Sequence, residues 1–226
     1  MPENHSLILD KKYVLKSPAP WRLKGVGILL VYKFKREWVE TYGNLPKHLK
    51  GKFKGGLGML LLANYSESPV GPFHQVIFIP GKFRKSRKQA VTRCFSEKEV
   101  STQNLRSNWG IPAENVEIAW DATPNQDRIM LAKNGDIIFS ADFESGGLSF
   151  PLSTAFLPLR LCQTWNKLKH FTRLSGSGWG KLAKIKQLDL NPNFFPDIRG
   201  IHPLFAIKVN PFFIRFPTPT YREEHV

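Results

Sequence analysis

Short apolar runs separated by glycine and proline restrict the folds open to this sequence. The chain of 226 residues contains 17 glycines and 17 prolines, and few of its windows have helical periodicity. The clearest local signal is a hairpin in which segments 128–132 and 136–141 are joined by Asn134-Gly135, a pair suited to a type I′ turn. The sequence therefore predicts a mainly β chain with a few short helices, folded as an all-β barrel or as packed sheets. The other predicted strands are residues 22–34, 57–64, 75–79, 89–96, 115–120, 183–190 and 204–216.

Helices are predicted at two places only. Residues 35–42 have a short helical pattern that ends at Gly43. A second helix is predicted to begin at Ser96, because Ser96 and Glu99 have the spacing of a capping box, and it would lead to Arg106.

Two later segments contain prolines or glycines that are expected to interrupt regular secondary structure. Pro151 and Pro158 argue against a continuous strand through residues 148–160. The glycine-rich segment 175–180 predicts a bulge or tight turn in which Trp179 packs on the core.

The length favours one domain over residues 1–226, with an N-terminal extension at 1–19 and a C-terminal tail at 217–226. The longest apolar run, 26–32, is far shorter than the roughly 20 residues of a membrane-spanning helix. Because residues 1–5 lack the pattern of a secretory signal, a cytoplasmic location is expected. Cys94 and Cys162 have no metal-ligand spacing and are expected to be buried thiols.

The net charge of +15 leaves several partners open. A polyanion such as nucleic acid, an anionic membrane surface and an acidic ligand are all compatible with it, as is a well-solvated surface. The basic residues form three clusters: Lys47, Lys50, Lys52 and Lys54; Lys82, Arg84, Lys85, Arg87 and Lys88; and Lys181, Lys184 and Lys186. Phe83 is the only aromatic residue within the second cluster, and a single ring offers little surface on which bases could stack. A solvated basic loop is therefore the simpler interpretation there.

No cofactor or metal site is predicted. The six histidines are dispersed and lack the spacing of a zinc-binding helix. The glycines at 176–180 are followed by a strand-like segment, whereas a phosphate-binding loop would be followed by a helix.

Two segments of the chain form a recognisable pair of motifs. One contains Tyr65-Ser66-Glu67, and the other has Arg106 and then Trp-Gly-Ile-Pro-Ala-Glu at 109–114. Together they resemble the acetoacetate decarboxylase family, which has a Tyr-Thr/Ser-Glu turn and, further on, an arginine followed by an aromatic residue, proline and lysine. The resemblance covers most of the chain from Pro20 onward and implies a closed β-barrel with flanking sheets, which assembles into homo-oligomers.

The resemblance also shows what this chain lacks. In the family, the lysine after the proline forms a Schiff base with the keto acid, and a second lysine beside it keeps that amine neutral. Here these positions are Ala113 and Glu114. A second family glutamate falls near Gly58, so it is absent too. The resemblance implies a pocket with Glu67 as a general acid/base and with a set of binding residues, namely Arg106, Tyr65, Trp109, Ile111 and Pro112.

Three classes of function follow from these observations. The chain could be a non-decarboxylating member that retains a pocket for a small keto, carboxylic or apolar compound. It could be a lyase that uses another lysine, for which Lys24, Lys33 and Lys133 are the strand-associated candidates. It could also be a catalytically inactive barrel whose basic surface binds nucleic acid, an anionic membrane or a protein.

Overall fold

The computed structural model describes residues 16–84 and 86–223. Most of the predicted N-terminal extension, Lys85 of the second basic cluster and the last three residues of the predicted tail lie outside the described residues. The rest of that tail contains a strand, Thr220–Glu223.

The chain is mainly β, as predicted, with two short α-helices and one 3-10 turn. The helices are α1 (Arg36–Tyr42) and α2 (Glu99–Trp109), and the 3-10 turn is Lys47–Leu49. The strands are β1 (Trp21–Tyr32), β2 (Phe53–Gly55), β3 (Gly58–Glu67), β4 (Phe73–Ile79), β5 (Lys82–Phe83), β6 (Arg93–Ser96), β7 (Ala113–Asn115), β8 (Glu117–Ala122), β9 (Gln126–Lys133), β10 (Asp136–Ser153), β11 (Leu159–Trp165), β12 (Leu168–Leu190), β13 (Phe205–Phe216) and β14 (Thr220–Glu223).

One sheet of twelve strands organises the molecule. Its order is β7-β6-β4-β3-β1-β13-β12-β10-β9-β8, and β11 and β14 both pair with the first part of β12. Among the strands of the described residues, β6 and β7 are the only pair that runs in parallel. Within the described residues no pairing joins the end strands β7 and β8, so the closed barrel stays a prediction.

Two apolar cores lie on the two faces of this sheet. Side chains alternate between the faces of a strand, and β1 shows the division: Ile28 and Leu30 belong to one core, whereas Leu23 and partly buried Leu29 pack in the other. The second core is covered by α2 and by the β11–β12 hairpin. It contains Ala113, and it therefore positions the region in which the resemblance places a site.

The Asn134-Gly135 turn is confirmed. Both residues have positive φ, at 54° and 86°, and they join β9 to β10 in the predicted register. Helix α1 ends before Gly43, also as predicted.

The capping box at Ser96 is wrong. Helix α2 begins at Glu99, after Lys98, and no side chain caps it. Ser96 is the last residue of β6, and its hydroxyl contacts the Ser101 hydroxyl at 2.5 Å instead. Ser96 therefore remains in β6, because this strand pairs with β4, although the local sequence favours the start of a helix there.

The absence of a continuous strand through residues 148–160 is confirmed, because β10 ends at Ser153 and β11 begins at Leu159. Strand β10 does include Pro151, at a point where β9 no longer pairs with β10. The expectation that Trp179 packs on the core is wrong. The glycine-rich segment lies within β12, and Trp179 is 54% exposed. A register shift between Gly178 and Gly180 does match the predicted irregularity.

None of the described helices combines the length and the apolar character needed to cross a membrane.

Candidate functional site

An apolar cavity of about 140 Å³ lies within the second core. Strands β1, β3 and β4 form one wall, and β11, β12 and β13 form the other together with the end of β10 and the segment after it. It is comparable in size to an engineered cavity of about 150 Å³ that stays dry and binds benzene. The lining residues are Gly27, Leu29, Met59, Leu61, Ile77, Ile79, Val91, Ile111, Leu152, Ser153, Thr154, Leu157, Leu159, Leu161, Leu174, Gly176, Ser177, Gly178, Val209, Phe212, Phe213, Ile214 and Phe216.

Glycines allow the strands around this cavity to approach closely. A Cβ on Gly176 would lie 2.6 Å from the Phe213 carbonyl oxygen, and one on Gly178 would lie 2.7 Å from both Val209 Cγ1 and the Pro211 carbonyl oxygen. The segment 175–180 therefore packs β12 against β13 without side chains on the cavity side. The glycine signal in the sequence marked this strand contact rather than a turn.

The cavity lining contains few polar side chains. Its three polar side chains are hydroxyls, and no lining residue is ionisable. The Thr154 hydroxyl accepts a hydrogen bond from the Gly176 amide at 3.0 Å, and the Ser153 hydroxyl accepts one from the Ala155 amide at 3.1 Å. Because these groups stabilise the wall itself, the cavity selects for apolar ligands.

Ala113, where the resemblance in sequence expects the Schiff-base lysine, is fully buried in the same core but does not line the cavity. It begins β7 and pairs with Cys94 on β6. The Arg106 guanidinium, from the last turn of α2, donates through Nε to the Ala113 carbonyl oxygen at 2.6 Å. Arg106 therefore holds the backbone at this position and is not directed at the cavity.

A chain of buried polar side chains lies beside Ala113. The Tyr65 hydroxyl donates to Gln75 Oε1 at 3.0 Å, and Gln75 Nε2 donates to Cys94 Sγ at 3.3 Å. Burial raises the pKa of the Cys94 thiol to about 12 and also raises the pKa of Tyr65. These groups are neutral and mutually bonded, so Tyr65 serves the packing of the core here rather than lining the cavity.

The remaining residues of the 109–114 segment have distinct positions. Trp109 is buried, and its indole N–H donates to the Pro217 carbonyl oxygen at 2.8 Å. Ile111 lines the cavity, whereas Pro112 is half-buried and does not. Of the predicted binding residues, only Ile111 therefore contacts the cavity.

Glu67 lies away from this core. Its side chain is 65% exposed and accepts a hydrogen bond from the Lys24 ammonium at 2.7 Å. Both residues border a separate cleft on the other face of β1 and β13. The structure does not bring Glu67 together with Ala113 or with the cavity.

Glu114 does not face the Schiff-base position either. Successive side chains of a strand point to opposite faces, and the Glu114 carboxylate lies 2.8 Å from the Lys133 ammonium and 3.3 Å from the Arg93 guanidinium. The expected effect of Glu114 on an amine at position 113 is therefore weakened by geometry. Of the other candidate lysines, Lys24 pairs with Glu67 and Lys33 is exposed.

Sequence reasoning missed Lys208. It lies in β13 and is buried, its ammonium is 2.8 Å from Asp127 Oδ2, and it donates to the Thr123 carbonyl oxygen at 2.9 Å. A lysine within the apolar segment 204–216 was the available signal. It does not line any of the cavities described above.

The chain has an acetoacetate decarboxylase-like fold. Acetoacetate decarboxylase from Legionella pneumophila superposes with a TM-score of 0.68 and 10% identity, covering 98% of this chain and 94% of that one. The enduracididine biosynthesis enzyme MppR, complexed with the condensation product of pyruvate and imidazole 4-carboxaldehyde, superposes with a TM-score of 0.65 and 13% identity, covering 99% and 97%. An acetoacetate decarboxylase-like enzyme from Sphingomonas wittichii RW1 gives 0.59 and 12%, covering 92% and 95%. No family model matches the sequence, and neither does any curated protein.

Proposed function

We propose that this chain binds a small apolar ligand in the cavity of the second core and does not decarboxylate keto acids through a Schiff base. The observation that carries the proposal is the lining: no ionisable side chain contacts the cavity, and the nearby position 113 is alanine. A keto acid would have to leave its carboxylate without a cationic partner in an apolar space, which is costly. Among the ligands that the resemblance implies, an apolar compound fits better than a keto or carboxylic one.

The cavity limits the size of the ligand. A volume of about 140 Å³ suits a compound near the size of benzene, such as a monocyclic arene or a short branched hydrocarbon group. Burial of its apolar surface would supply the affinity, and the hydroxyls of Ser153, Thr154 and Ser177 are the only side-chain polar groups available to orient it.

Ligand-observed NMR with toluene tests this proposal. We expect saturation transfer from the wild-type protein and its loss in Leu157→Trp, which places an indole in the cavity wall. The matched control is Leu148→Trp, because Leu148 is 92% exposed and does not line the cavity. Failure of toluene to bind the wild type, or equal binding to both variants, would contradict the proposed site.

Borohydride trapping tests the chemical half of the proposal. Incubation with a panel of β-keto acids, followed by intact-mass measurement, is expected to give no adduct. A stoichiometric adduct would support the alternative of a lyase that uses another lysine, and Lys24→Met, Lys33→Met and Lys133→Met would identify the amine.

A further inference from the structure

Four arginines cross four adjacent strands on the exposed face of the sheet opposite the cavity. Arg160 on β11 pairs with Arg173 on β12, Ser175 on β12 pairs with Arg215 on β13, and Arg215 pairs with Arg22 on β1. All four are exposed. Because Arg173 and Ser175 are two residues apart, they share a face, and the row extends over roughly 15 Å, at about 4.8 Å between neighbouring strands. We call these four residues the arginine row.

No carboxylate among residues 16–84 and 86–223 forms an ion pair with the arginine row. The only described ion pair in the adjoining cleft is Lys24 with Glu67. Exposed arginines elsewhere do pair with acids, as Arg128 does with Asp142. The arginine row therefore carries uncompensated positive charge, and none of its members belongs to the basic clusters that stand out in the sequence.

Two exposed aromatic rings lie on the same face. Phe213 is two residues before Arg215 on β13, and Trp179 is two residues after Ser177 on β12; they are 50% and 54% exposed. Ser177 pairs with Phe213, which places the rings on neighbouring strands. The Lys24 ammonium lies 6.0 Å from the centre of the Phe213 ring. The cleft between Arg22, Phe213 and Arg215 has a volume of about 440 Å³.

We propose that this face binds single-stranded nucleic acid. Arginine pairs with phosphate through two parallel hydrogen bonds, and aromatic rings within a basic groove stack with bases regardless of their identity. Both features occur together here, and a sheet surface carrying aromatic rings is an established platform for unpaired bases. This function is distinct from ligand binding in the cavity, because no member of the arginine row lines the cavity. The two sites do adjoin, since Gly176, Ser177, Phe213 and Ile214 border both the cavity and the cleft.

An anionic membrane is the competing partner for such a face. The most exposed apolar side chains, Leu148 at 92% and Phe156 at 84%, are the ones expected to insert into a bilayer. They do not belong to the arginine row or to the cleft beside it. The half-exposed rings within the sheet favour stacking over insertion, so nucleic acid is the better fit.

Fluorescence anisotropy with labelled rU15 and dT15 between 50 and 200 mM salt tests the proposal. The two probes distinguish RNA from DNA as the source of the strand. We expect Arg22→Ala/Arg173→Ala/Arg215→Ala to weaken binding at least tenfold and to reduce the slope of log K against log salt by about 2, since each phosphate contact on a single strand contributes about 0.7. We expect Phe213→Ala and Trp179→Ala to weaken binding with little change in that slope.

The matched control is Lys47→Ala/Lys50→Ala/Lys54→Ala, which removes the same charge from exposed lysines of the first basic cluster. Equal weakening by the two triple variants would show that net charge alone attracts the strand, and the proposed surface would be wrong. Absence of wild-type binding to both probes would also overturn it. A last measurement uses vesicles of phosphatidylcholine and phosphatidylserine at 3:1. If the protein binds these vesicles through the arginine row but binds neither oligonucleotide, the partner is a membrane and the proposal is wrong.

Discussion

Lys208 and Asp127 form a buried ion pair that connects β13 to the start of β9. The ammonium nitrogen lies 2.8 Å from Asp127 Oδ2, and the side chains are 8% and 1% exposed. The Trp120 indole N–H donates to the other carboxylate oxygen at 3.0 Å. The sheet edge formed by β8 and β9 is therefore attached to its centre by charge as well as by apolar packing.

Removal of one partner of this pair should be strongly destabilising. We expect Lys208→Met to lower the free energy of unfolding by about 3–5 kcal/mol, because the Asp127 carboxylate would remain buried without its cation. The double variant Lys208→Met/Asp127→Asn should recover part of the loss, since the amide keeps an acceptor for Trp120. Urea unfolding measures both values. The exposed pair of Lys186 and Glu144 is the control, and Lys186→Met should cost less than about 1 kcal/mol; similar costs at both sites would contradict the role assigned to burial.

A lysine introduced at position 113 should not give the chain decarboxylase activity. Ala113→Lys would insert a long side chain and a charge into a filled core, and we expect a loss of at least about 3 kcal/mol in urea unfolding. We also expect no release of CO₂ from acetoacetate, because no ionisable group lines the cavity. The exposed Glu117→Lys on the following strand should change stability by no more than about 0.5 kcal/mol. Efficient decarboxylation by Ala113→Lys would show that a competent pocket had survived.

The two kinds of glycine in the long strands should respond to substitution in opposite directions. Gly178→Ala would bring a Cβ to 2.7 Å from Val209 and the Pro211 carbonyl oxygen, and overpacking of this kind costs about 1–3 kcal/mol. Gly146→Ala meets nothing within 4 Å, and its φ is compatible with alanine, so it should raise stability by up to about 1 kcal/mol. Thermal unfolding of both variants checks the pair; a neutral Gly178→Ala would mean that β12 and β13 can separate freely.

Burial of Cys94 should make stability depend on pH above 9. The thiol has an ordinary pKa of 9.0 and a folded pKa of about 12. The unfolded thiol therefore loses its proton first, and the stabilisation is complete below pH 9 and is lost as the pH rises toward 12. Between pH 8 and 10.5 we expect the free energy of unfolding to fall by about 2 kcal/mol more in the wild type than in Cys94→Ala.

Buried tyrosines contribute a loss of the same sign, but they are common to both proteins and cancel in this comparison. Val76→Ala, an equally buried truncation without a titrating group, should lower stability while leaving the wild-type dependence on pH unchanged. If the free energy of unfolding falls equally with pH in Cys94→Ala and in the wild type, the effect assigned to burial of the Cys94 thiol is ruled out.

Ligand binding should also appear as thermal stabilisation. A tenfold excess of toluene over its dissociation constant contributes about 1.4 kcal/mol, which corresponds to roughly 3–6 °C in a domain of this size. Leu157→Trp should abolish the shift and Leu148→Trp should retain it. An equal shift in the two variants would place the ligand elsewhere.

Local signals predicted much of the fold. The Asn134-Gly135 turn, the apolar length of β1 and the end of α1 at Gly43 depend on nearby residues, and each is confirmed. The helix start predicted at Ser96 was wrong because the role of this residue depends on which strand pairs beside it. That information lies elsewhere in the sequence, since β6 pairs with β4.

The site was less predictable than the fold. The resemblance directed attention to the segment 109–114, of which Ile111 lines the cavity. It also grouped Glu67 with that segment, whereas Glu67 lies on the other face of the sheet, paired with Lys24. Spacing along a chain does not show on which face of a sheet two segments lie. A cavity lined by aliphatic groups from seven strands produces no motif in the sequence.

The close contact between β12 and β13 has a consequence for divergence. The two strands can approach this closely because Gly176 and Gly178 have no side chains. Most substitutions at these positions would therefore be removed by selection against misfolding, irrespective of any ligand. Invariance of these glycines among relatives would therefore report on strand packing, whereas changes among the aliphatic residues of the wall would reveal which compound the cavity has been shaped to hold.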